Sequence, residues 1–237
     1  MKIMPVLLIG TMSLAGANAF AGSGRQDSLD RLQMSTEVLQ SIMNAPDKGI
    51  PDEVVKGAKC LVVIPHLIKG GFVVGAEHGR GIASCRTADG WSAPAFVSIG
   101  GGSWGLQIGV EGIDLVMVVM NDDGLQHLLS SKFQISGDAS ASAGPVGRHA
   151  SAGTDWTLNT EVLTYSRSRG IFAGITLNGA VVEQDVDSTM AIYGHDASFR
   201  AVLSGDVRAP KSTLAFIHIV GEMGRAGTVA EVTPAQQ

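Results

Sequence analysis

The chain has 237 residues, of which 45% are hydrophobic, 5% aromatic and 16% charged, with a formal net charge of −5. That apolar share is enough to bury a sizeable core, and mixed or all-β folds of this length commonly form one unit. The acidic balance excludes non-specific attraction to nucleic acid or to anionic bilayers, so any anion binding has to come from a local basic patch.

Residues 1–21 have the layout of a secretory leader. Lys2 supplies the positive start, Ile3 to Ala17 is mostly apolar, and Ala19-Phe20-Ala21 is a small-x-small cleavage signal. The stretch is too short and too interrupted by Gly and Ser for a membrane span. Cleavage is expected after Ala21, with Ala19 as the alternative. The remainder, residues 22–237, is then an exported single domain, periplasmic, associated with the cell envelope, or secreted.

Ser28 to Met43 has helical spacing, with Leu29, Leu32, Leu39, Ile42 and Met43 near one face and Asp30, Arg31, Gln33, Glu37 and Gln40 mostly opposite. Ala45-Pro46 ends it, and Pro51 opens a short helix with Asp52 and Glu53 in its first turn. From Cys60 the period changes. Cys60 to Ile64, Gly71 to Glu77 and Gly81 to Arg86 are predicted strands, and Asp89-Gly90 is a hairpin turn. Trp104 to Val110 and Ile113 to Met120 are further strands, and Asn121-Asp122 caps a helix to about Ser131. Phe133 to Ala143 and Glu161 to Ser168 are strands, and Asn178-Gly179 is a hairpin turn between Gly170–Leu177 and Ala180–Gln184. Asp185 to Tyr193 and Ala197 to Leu203 are short helices, and Ser212 to Met223 fits a helix or a strand. The predicted class is α+β, with a curled, barrel-like antiparallel sheet, N-terminal helices and short peripheral helices; glycines within strands supply the bends that curl a sheet.

Cys60 and Cys85 both fall in predicted strands and, in an oxidising compartment, either pair or remain two small buried thiols. Gly101-Gly102-Ser103-Trp104-Gly105 matches the G-x-S-x-G elbow of serine hydrolases, which requires a strand, a sharp turn and a helix. The alternation of Leu106 to Val110 is strand-like, so the glycines are expected to form a bend and Ser103 is not expected to be a nucleophile. Gly100-x-Gly102-x-x-Gly105 matches a dinucleotide fingerprint, but lacks the helix whose N-terminus would hold a pyrophosphate. The six histidines show no metal-ligand spacing, and Asp122-Asp123-Gly124 lacks the alternating ligands of a calcium loop. No catalytic residue, metal or cofactor is expected. Gly-flanked cations, namely Lys69, Arg148, Arg167 and Arg169, are either solvated turn residues or a site that meets phosphate through charge and free backbone N–H groups.

Several runs together resemble the SYLF domain. They are Val62-Val63-Ile64-Pro65, Lys69-Gly70-Gly71-Phe72-Val73-Val74-Gly75, Gly79-x-Gly81, and Asp89-Gly90-Trp91-Ser92-Ala93-Pro94. The order continues through Gly105-x-Gln107-Ile108-Gly109, Asp114, Ala143 to Arg148, Ala150, Tyr165 to Gly174 and Tyr193-Gly194, so the likeness spans roughly residues 28–205. The resemblance implies a non-enzymatic lipid-binding module, phosphoinositide-binding in eukaryotic members and exported as a stand-alone domain in bacterial ones. It implies membrane phospholipid as the partner, with head groups met by Lys69, Arg148, Arg167 and Arg169. It also implies membrane contact through the first helix, by way of Leu29, Leu32, Leu39 and Ile42. The rival expectation is a structural or protein-interaction component of the envelope in which that helix docks on a partner; a serine esterase using Ser103 is a third.

Overall fold

The computed structural model describes residues 17–44, 49–72, 74–104, 109–146, 160–168, 171–175, 177, 179–194 and 197–226. A long helix, α1 (Ala17–Met43), is followed by the short α2 (Asp52–Gly57). Helical backbone therefore runs through both candidate cleavage positions of the predicted leader. Two long strands come next, β1 (Cys60–Phe72) and β2 (Val74–Thr87), then the two-residue β3 (Gly90–Trp91), β4 (Ala95–Trp104) and β5 (Gly109–Val119). Helix α3 (Asp122–Leu129) starts where the Asn121 side chain accepts the Gly124 N–H at 2.9 Å, as its sequence signal predicts. Short strands β6 (Lys132–Gln134), β7 (Ala141–Ala143), β8 (Val162–Ser168), β9 (Ile171–Gly174) and β10 (Val181–Gln184) precede α4 (Val186–Tyr193), α5 (Phe199–Ser204) and α6 (Leu214–Ala226).

The main sheet runs β6-β10-β4-β2-β1-β5-β8-β7, with β3 paired to β2 and β9 to β8. It is antiparallel except for the β7–β8 pair, and it curls into a half-barrel. The pleat sends alternate residues of β1 to opposite faces. Cys60, Val62 and Ile64 join the inner core with Leu128 of α3 and Val202 of α5, whereas Leu61 and Val63 join the outer core under α1, α2 and α6. Helices on both sides explain why this strand is apolar without alternation.

The α+β class with a curled antiparallel sheet is as expected, but several elements differ. The Gly100–Gly102 run is not a bend. It lies inside β4, where Gly102 pairs with Ala76 and Ser103 with Gly75. Gly79 and Gly81 do not break a strand either, so two predicted strands are one. A Cβ at Gly81 would sit 2.1 Å from the Val63 carbonyl oxygen, and one at Gly79 would sit 2.7 Å from an Ile64 methyl, so these glycines admit the neighbouring strand. The expected Phe133–Ala143 strand splits into β6 and β7 around a turn at residues 136–138. Asn178-Gly179 does not join a hairpin: β9 pairs with β8, while β10 pairs with β4 and β6. Asp89-Gly90 does turn β2 into β3, with Gly90 at φ 126°. Ser212 to Met223 resolves as helical, a 3-10 turn leading into α6.

Candidate functional site

Two cations proposed from sequence arrive at the same end of the sheet. Between Ile64 and Ile68 the β1 register slips by one residue against both neighbours, and His66 adopts φ 51°. Asp114 of β5 holds this bulge: its Oδ1 accepts the His66 N–H at 3.1 Å. The same carboxylate pairs through Oδ2 with Arg167 Nη1 of β8 at 3.3 Å. Beyond the bulge, Lys69 points to the inner face and pairs with Glu77 of β2 at 3.1 Å, Nζ to Oε2. Ser168 donates to Glu111 Oε1 at 2.6 Å on that face.

Around these pairs stand apolar side chains that the fold leaves in solvent. Ile68 is 55% exposed, Val110 81% and Ile171 66%. The cations thus stand among isolated apolar residues, each cation beside a carboxylate on the neighbouring strand. Arg148 and Arg169 lie outside the described residues.

The first helix is arranged differently from its expected membrane-contact role. Leu32, Leu39 and Ile42 are buried in the outer core, and Leu29 packs at its margin. Their apolar stripe is spent on the sheet and α6, so membrane contact through it requires α1 to leave the fold. Arg31, placed on the polar face from its spacing, is also buried. Its Nη1 donates to Asp185 Oδ2 at 2.8 Å, and its guanidinium lies 5.4 Å from the Phe96 ring centroid. Burial alone would raise the Asp185 carboxyl. Hydrogen bonds from the Ser188 N–H, from Arg31 and from the Ser188 hydroxyl, with the Arg31 charge, outweigh it and hold the group below its ordinary value. What α1 does leave open is a groove of about 360 Å³ against the start of α6, lined among others by Leu29, Gln33, Glu37 and Ser212.

Cys60 and Cys85 face each other across β1 and β2 and are joined by a disulfide. Ser103 lies within β4, and the next described residues, from Gly109, are strand β5, so the described residues do not have the strand–turn–helix setting that a nucleophile elbow needs. Gly100 and Gly102 are strand residues as well, which removes the nucleotide-loop reading at those two positions. Among the described residues, no helix is long and apolar enough to cross a membrane.

The sheet thus has one end covered by helices on both faces and another where paired cations and exposed apolar side chains meet solvent. A family profile described as "Ysc84: Las17-binding protein actin regulator" matches residues 100–223, and the chain belongs to that family, also called SYLF. Similar relatives include the SH3 domain-containing YSC84-like protein 1 of Rattus norvegicus, 36% identical over 70% of this chain and 49% of that protein. The Homo sapiens protein of the same name is 34% identical over the same shares. LAS seventeen-binding protein 3 of Saccharomyces cerevisiae is 32% identical over 69% of this chain and 36% of its own length. The chain spans about half the length, or less, of these curated relatives.

Proposed function

We propose that this protein is an exported, non-enzymatic module that binds phospholipid head groups at a membrane surface, through the free end of its sheet. The observation that carries the reading is that Lys69 and Arg167, on opposite faces of the sheet, share one end of the fold with exposed Ile68, Val110 and Ile171. A cation near an anionic surface contributes about 1 kcal/mol, so a few cations alone give weak, salt-sensitive binding and apolar insertion has to supply the rest.

Flotation with vesicles of neutral and of anionic phospholipid tests this. The protein is expected to float with anionic vesicles and to be released progressively as salt is raised. No association with any composition overturns the reading. A second reading, a protein-interaction component of the envelope, is favoured by the groove beside α1, by the family's description and by the name of one relative, both of which describe binding of another protein. It predicts a protein partner that co-purifies and a chain indifferent to lipid.

A further inference from the structure

The outer face of the sheet is covered only in part. Near the disulfide it is roofed by α1, α2 and α6 over Leu61, Val63, Ile82 and Val118. Following the pleat toward the other end, the same face carries Ile68 and Gly70 on β1, His78 and Arg80 on β2, Gly100 and Gly102 on β4, Val110 and Gly112 on β5, and Arg167 on β8. Nothing described stands above it. A Cβ on Gly112 would meet no atom within 4 Å, and those on Gly100 and Gly102 would meet only atoms of the adjacent strand, at 3.8 Å or beyond. Ile68, Val110 and Arg80 are exposed. Of the two carboxylates on the strands of this face, Asp114 is paired with Arg167, and Glu183 of β10 is exposed near its edge, opposite Lys132 in register.

We propose that this bare outer face lies flat on an anionic bilayer, with Ile68 and Val110 entering the head-group layer between Arg80 and Arg167. The inference rests on the lipid-binding reading above and narrows it to the outer face, which leaves Lys69 and Ile171, both on the inner face, out of the contact. Arg80 and Arg167 are three strand spacings apart, roughly 14 Å, with the two apolar side chains on the strands between them. The surface suits a bilayer better than a peptide. A peptide adds to a free sheet edge or lies in a groove, whereas β1 and β5 are interior strands whose backbone groups are spent on both neighbours. A glycine-paved area of sheet with isolated apolar residues flanked by cations can still take up a fluid, negatively charged surface through its side chains alone.

The test places single cysteines at Ile68, at Val110 and, as a control, at Gln126 on α3, each carrying an environment-sensitive fluorophore. Cys60 and Cys85 are bonded to each other and buried, so they leave the label site-specific. With vesicles of phosphatidylcholine plus phosphatidylserine, labels at 68 and 110 are expected to shift to the blue while the label at 126 stays unchanged. The double variant Ile68→Asp, Val110→Asp is expected to weaken partitioning on the order of tenfold or more. Arg80→Gln is expected to weaken it roughly fivefold. All of these side chains are exposed, and unchanged thermal unfolding of each variant confirms that the fold is kept. If the unaltered protein binds vesicles but the label at 126 shifts instead, or the double Asp variant binds equally well, the orientation is wrong and lipid binding stands. If the unaltered protein binds no vesicle, the lipid reading falls and the orientation falls with it. A blue shift at 68 and 110 only on adding a protein partner would also overturn the proposal.

Discussion

Arg31 shows how one side chain can fasten a helix to a sheet. Its guanidinium reaches Asp185, which also accepts the Ser188 N–H that starts α4, and it rests beside the Phe96 ring of β4. Removing the cation leaves a largely buried carboxylate with only Ser188 as a partner, so Arg31→Met is expected to cost about 3 kcal/mol near neutral pH. The sign of the pH dependence follows from the depressed Asp185 group. Its contribution is complete above the unfolded carboxyl value of about 4 and is lost as pH falls through the lower folded value. Denaturant unfolding of both proteins at several pH values checks this: the gap is expected to be widest near neutrality and to narrow in acid. A gap that widens in acid would contradict the assignment. At this scale the sequence was legible where chemistry is local, as in the Asn121 cap, and illegible where it is not. Arg31 sits at a polar position of the helical spacing, and its partner lies 154 residues away. Ile68 and Val110 were passed over for the same reason, since only the strand register puts them on one uncovered face.

Glycines separate two kinds of strand position. On the inner face, Gly81 makes room for the backbone of β1; on the outer face, Gly112 has open space beside it. Gly81→Ala is therefore expected to destabilise by about 3 kcal/mol, because the added carbon meets a main-chain oxygen that cannot move without breaking a ladder. Gly112→Ala is expected to stay within about 0.5 kcal/mol of the parent. Thermal melts of the two variants decide it, and equal shifts would refute the distinction. Element type was read correctly over most of the chain because apolar spacing and caps are short-range signals. Element boundaries were not. A glycine that admits a neighbouring strand looks the same in sequence as one that ends its own, so β2 reads as two strands and the end of β4 as a bend. Asn178-Gly179 misleads for a related reason: Gly179 does take φ 82°, but the strands on either side pair with others. The candidate site was legible in part through Lys69 and Arg167, whose Gly-flanked setting marks the strand ends they occupy.

The whole molecule is built unevenly from one end of its sheet to the other. One end has the Cys60–Cys85 bond, the packed cores and Arg86, whose guanidinium lies over Trp91 and donates to the Val55 and Ala58 carbonyls that close α2. The other end has a bulge pinned by Asp114 and strands that, among the described residues, have no helix above their outer face. Because β1 and β2 run the full length, each of these strands passes from one regime to the other. Amide hydrogen exchange is expected to change along a single strand, slow from 60 to 64 and from 82 to 85, where opening requires the core to come apart, and fast from 69 to 77, where it does not. Reduction and alkylation of the disulfide are expected to hasten exchange in the first two stretches and leave the third as it was. Uniform protection along both strands would contradict this division. A strand anchored at one end can bend at the other without unfolding, so the end proposed to meet the membrane can follow an uneven surface while the core keeps its shape.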